Sequence, residues 1–128
     1  MSQAKTHQFV IQFESEPEYL RAEVSAEHDS YDVTVSYWNR IAEELRNTGH
    51  RKLLIVEMIE NNIEIRDAFR AIRERDRSSF EGVKIAFFDM KKDHVPINSF
   101  GAAAAAHLGY EIEVFSNIHA AKDWLLAL

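Results

Sequence analysis

The chain is expected to fold as a single α/β domain: a mostly parallel five-stranded sheet with an antiparallel N-terminal strand, in the order β-β-α-β-α-β-α-β-α. Two observations carry this expectation. Residues 53–58 and 83–89 are short runs rich in branched and aromatic apolar residues, the mark of strands buried on both faces. The stretches between successive strand-like segments have helical period, and strands joined by helices of this length are linked by right-handed crossovers, which makes them parallel.

Residues 7–14 alternate Phe9, Ile11 and Phe13 with more polar neighbours, and residues 19–24 alternate Leu20, Ala22 and Val24 with Tyr19, Arg21 and Glu23. Both read as half-buried strands, and the intervening Glu14-Ser15-Glu16-Pro17-Glu18 suits a turn, so a hairpin is expected. Residues 25–32 are polar and read as a loop. From about Thr34, a plausible cap, Trp38, Ile41, Ala42 and Leu45 share one helix face, while Tyr31 and Tyr37 fall off it; Gly49 is the expected stop. After the first apolar run, Asn61 with Glu64 three places on resembles a capping box opening a helix whose stripe is Ile65, Ala68, Phe69 and Ile72. Ser78, Ser79 and Gly82 end it. The second apolar run follows, then a helix over 96–108 opened by Pro96 and closed by Gly109. Residues 110–115 alternate as a last strand, and Asn117 caps a final helix expected to bury Ile118, Ala121, Trp124 or Leu125, and Leu128. The two apolar runs should be central and the alternating strands nearer the edges. Whatever covers the second face, a helix or a second subunit, must be apolar.

Composition narrows function. At 128 residues, 46% hydrophobic and 28% charged, the chain suits one domain and not global disorder. The first seven residues lack a signal-like apolar segment, and no stretch approaches the roughly 18 apolar residues of a membrane span. Cysteine is absent, so disulfides, thiolate metal sites and thiol nucleophiles are excluded, and a cytoplasmic setting is expected. A net charge of -6 argues against nucleic acid as a partner. Five arginines lie between Arg66 and Arg77, but Asp67, Glu74 and Asp76 are interleaved, which suits a solvated helix face better than a docking patch. The four glycines form neither a dinucleotide fingerprint nor a P-loop. His28-Asp29-Ser30 has the letters of a hydrolase triad, but adjacent residues seldom point at one another.

The element order, the Asn-capped helix after 53–58, and the ending His119-Ala120-Ala121-Lys122-Asp123-Trp124-Leu125 together resemble the STAS-like domains related to bacterial anti-anti-sigma factors, in particular the SpoIIAA-like branch of small stand-alone bacterial proteins. The likeness spans nearly the whole chain. Where those antagonists carry Asp-Ser-Ser-Gly, with a serine that is phosphorylated to release the partner, this chain has Glu60-Asn61-Asn62-Ile63, so a phosphorylation switch is not expected there. The resemblance implies a non-enzymatic, regulatory protein-binding module, acting on another protein or as a homodimer. The alternative is a carrier of a small apolar, lipid-like ligand, since the fold is similar to lipid-binding Sec14-type domains; the short chain argues against a large lipid chamber.

Open parallel sheets bind ligands at the carboxyl ends of their strands. That edge should carry Glu57, Glu60, Asn61 and Asn62, then Asp89, Asp93 and His94, then Ser116, Asn117 and His119. The expected ligand- or partner-binding residues are Glu57, Glu60, Asn61, Asn62, Arg66, Asp89 and His94. A metal or acid–base centre would need Glu57, Asp89 and His94 to converge, which their spacing does not dictate; no catalytic residue, metal or cofactor is expected.

Overall fold

The computed structural model describes residues 8–75 and 77–127. His7, Asp76 and Leu128, which entered the readings above, lie outside the described residues. The elements are β1 (Val10–Ser15), β2 (Leu20–His28), α1 (Tyr31–Thr48), β3 (Lys52–Asn61), α2 (Ile65–Glu74), β4 (Lys84–Asp89), α3 (Val95–His107), β5 (Glu111–Phe115) and α4 (Ile118–Leu126), with 3-10 turns at Ser78–Phe80 and Lys92–His94. The sheet order is β1-β2-β3-β4-β5, with β1 antiparallel to β2 and the other pairs parallel, as expected.

That order steps one way across the sheet. Crossovers of one hand taken in one direction put their helices on one face, and the main core accordingly joins α1, α2 and α3 to Leu53, Ile55 and Ile59 of β3 and to Ile85 and Phe87 of β4. The other face is covered by a helix: Ala121 and Leu125 of α4 pack on Leu54, Val56 and Ala86. The two apolar runs are thus buried on both sides. β2 is interior to the sheet yet still alternates, because its second face carries Arg21 bonded to Glu23 at 2.7 Å.

Several boundaries differ from the sequence expectation. Residues 25–28 are strand, not loop: Ser25, Ala26 and His28 pair with Met58, Ile59 and Asn61. Backbone pairing holds them although Ser25, Glu27 and His28 are polar, and Ala26 packs against the main core. Ser30, not Thr34, caps α1, its Oγ accepting the Val33 N–H at 3.1 Å. Gly49 ends α1 at φ 77°, its N–H donating to the Leu45 carbonyl. Asn61 is the last residue of β3 and its amide donates to the Glu27 carbonyl at 2.9 Å, so it caps nothing; α2 starts after Glu64 with no side-chain cap. In α2 the buried residues are Ala68, Ala71 and Ile72, while Ile65 and Phe69 of the expected stripe are exposed. Asn117 does cap α4, accepting from the Ala120 N–H at 3.0 Å. Gly82 has φ 73°, in the left-handed region that favours glycine.

Candidate ligand-binding site

Strand alternation aims Glu57 at the three-helix face, in series with Leu53 and Ile55, and aims Asp89 the same way after Ile85 and Phe87. Parallel register makes Glu57, within β3, the direct partner of Asp89, the last residue of β4. The 3-10 turn after β4 then folds His94 back, with Nδ1 3.0 Å from Asp89 Oδ2. Donor atoms of Glu57, Asp89 and His94 all lie within 4.8 Å of one another, and all three residues are buried. The three groups named for a metal or acid–base centre therefore do converge.

Protein groups occupy most of their bonding positions. Asp89 accepts from the Asn98 amide at 2.8 Å and from the Lys91 N–H at 2.8 Å, and Glu57 accepts from the Tyr37 hydroxyl at 2.7 Å. Asp29, at the end of β2, accepts from the Ser30 N–H at 2.8 Å and the Thr34 hydroxyl at 2.7 Å. Among the described residues, no lysine or arginine pairs with Asp29, Glu57 or Asp89. Burial, and then the Asp29 and Asp89 carboxylates, push the Glu57 carboxyl well above the ordinary range. Burial also pushes Asp29 up to about 6, against the two hydrogen bonds it accepts. Burial beside two other carboxyl groups thus favours the protonated form of Glu57 over the charged one.

Beside this polar floor, a cavity of about 80 Å³ opens between the sheet and helices α1, α2 and α3. Its walls are mainly apolar, including Ile63, Ile72, Phe87, Ile97 and Ala102, while Asp29, Glu57 and Asn98 reach it from the floor. Gly101, Ala102 and Ala105 keep the α3 side of the cavity open, because their side chains have no bulk. Arg75 also lines it, just past the last turn of α2. Its guanidinium carbon lies 4.1 Å from the Trp38 ring centroid and 5.2 Å from that of Tyr110.

No family model matches the chain, and no curated protein matches it in sequence. Among solved structures it is similar to an uncharacterised protein of the DUF3478 family with a SpoIIAA-like fold, from Shewanella loihica PV-4. The two share 14% identity at a TM-score of 0.54, over 93% of this chain and 94% of that one. The fold is SpoIIAA-like. At that identity the likeness concerns the fold alone, and the neighbour brings no activity with it.

Within the SpoIIAA-like fold, the expected site residues divide into two groups. Glu57, Asp89 and His94 meet as described, but Glu60, Asn61, Asn62 and Arg66 stay outside the cavity. Glu60 pairs with Lys91 at 3.1 Å, Asn61 ties β3 to β2, Asn62 accepts from its neighbour's Ile63 N–H at 2.9 Å, and Arg66 is exposed. Arg70 lies 3.7 Å above the Tyr31 ring, and the Tyr31 hydroxyl donates to Glu74 at 2.5 Å, so these side chains clamp α1 to α2. The sequence reading missed Asp29, Tyr37, Arg75 and Asn98. A wider stripe on α1 would have included Tyr37, which lies one turn before Ile41. Among the described residues, no helix is long and apolar enough to cross a membrane.

Proposed function

We propose that this SpoIIAA-like domain is a non-enzymatic binding module that holds a small, largely apolar ligand in the cavity beneath α2 and α3. The observation that carries this reading is the cavity itself, about 80 Å³ with mainly apolar walls, lying under the helices from Tyr110 and Ile112 at the start of β5 to Asp29 and Glu57. Support for binding over catalysis comes from the floor, where Asp89 and Glu57 are engaged with His94, Asn98, Tyr37 and the Lys91 backbone. Ala102→Leu puts a branched side chain into the space. Titration calorimetry with a small neutral aromatic amide, phenylacetamide, should show saturable binding by the wild-type protein and at least about tenfold weaker binding by Ala102→Leu. Absence of binding, or equal binding by the two, overturns the reading.

A second reading, self-association, is favoured by a separate feature. Phe69 and Phe100 touch at 6.3 Å between ring centroids on the outer side of α2 and α3 and are 40% and 42% exposed, with Ile65 one turn away and 57% exposed. Arg73 lies 5.3 Å from the Phe69 ring. Exposed apolar side chains gathered on one helix face are the kind of surface that a second copy of the chain buries on pairing. Sedimentation equilibrium should find a dimer at micromolar concentration that Phe69→Ser returns to monomer; a monomeric wild type removes this reading.

A further inference from the structure

We infer that the ligand of this cavity is an apolar monocarboxylate and that Arg75 is the residue that recognises its anionic end, an inference that rests on the pocket reading above. Arg75 is half-buried, and that burial pulls its basicity down. Yet it forms no ion pair or hydrogen bond with any described residue; its contacts are the faces of Trp38 and Tyr110. Stacking on rings and the negative end of α2 offset part of the cost of burying a cation. Neither uses the N–H donors in the plane of the guanidinium. With aromatic rings against its faces, the group has its edge left for an acceptor, and a planar carboxylate meets that edge with two parallel hydrogen bonds.

The other end of the cavity fixes the number of charges. Asp29 and Glu57 reach the same space, and Asp29 is ionised above about pH 6. A dianion, or a second carboxylate at the far end, would face that charge in a poorly solvated site. A hydroxyl or an amide there would instead find hydrogen-bond partners in Glu57 and Asn98. Between the two ends, Ile72, Ile97 and Ala102 offer apolar wall only. One anionic end, an apolar body and at most a neutral polar tip describe the ligand class.

Phenylacetate and phenylacetamide differ in little but charge and so separate this inference from the reading beneath it. By titration calorimetry at pH 7.5, the wild type should bind the acid at least about tenfold more tightly than the amide. Arg75→Gln should bring the acid-to-amide affinity ratio close to one, and Arg75→Lys should keep part of the preference. Equal affinity of the wild type for acid and amide overturns the role of Arg75 and leaves the apolar pocket standing. Failure of both probes to bind overturns both. Should Arg75→Gln not fold, the wild-type acid-to-amide ratio and its decline with added salt decide the matter without it.

Discussion

Glu57→Gln is expected to stabilise the protein at pH 8 by at least about 1 kcal/mol and to flatten the decline of its stability with rising pH. The Glu57 carboxyl is buried beside Asp29 and Asp89, and its folded-state pKa lies well above the ordinary 4.5. Over the interval between those two values, the unfolded chain has released a proton that the folded chain retains, so folding takes up a proton and stability falls as pH rises. Below the ordinary value both states are protonated and the contribution is fully present. Asp29 adds a term of the same sign, with a loss that begins near 3.8 and is complete above about 6. Its share is on the order of 2 to 3 kcal/mol. Glutamine mimics the protonated acid: its carbonyl still accepts from Tyr37 and its amide donates to Asp89. Urea denaturation of wild type and variant at pH 5, 6, 7 and 8 gives the comparison, and parallel curves would show that Glu57 ionises normally. The same experiment addresses a metal. If Glu57, Asp89 and His94 held a divalent cation, Glu57 would be an anionic ligand and its conversion to glutamine would destabilise the protein, with chelator reproducing the loss.

The parts of this fold legible in the sequence were those set by burial on regular periods. The apolar runs of β3 and β4 had to be covered on both sides, and the alternation of β1 and the first half of β2 could only be strand. The boundaries depended on competition between neighbours. Residues 25–28 continue the alternation of Leu20, Ala22 and Val24 only through the small Ala26, but β3 supplies backbone partners for them. Asn61 was a sound cap by residue type, yet β3 holds it in the sheet and delays α2 to Ile65. For the site, alternation already put Glu57 on the face of Ile55 and Asp89 on that of Phe87; the parallel register that sets them side by side was not encoded in their spacing. Arg75 was hidden among five similar residues. What distinguishes it from Arg73 is contact with Trp38 and Tyr110, which come from distant parts of the chain. Recognition groups of this kind are assembled by tertiary packing and leave no local mark.

Leu125→Ala should cost about 3 to 5 kcal/mol and test how the second face of the sheet is closed. Leu125 is fully buried, and with Ala121 it meets Leu54, Val56 and Ala86. Ala86 and Ala121 let α4 approach the sheet closely, so much of the apolar contact on this face falls to Leu125. Its partners Leu54 and Val56 belong to the central strand, held by β2 on one side and β4 on the other, and cannot shift to fill a hole. A void that cannot collapse puts the loss toward the upper part of the range for such substitutions. Trp124 offers limited compensation: it is partly exposed at the rim, 5.6 Å from the Phe115 ring, with Lys84 Nζ 4.5 Å from its own. The loss should appear as a lower urea midpoint with an unchanged slope, since the helix remains part of one cooperative unit. A loss below about 1 kcal/mol would mean that this face is closed by something other than α4, and a shallower slope would mean that α4 detaches before the rest of the domain unfolds.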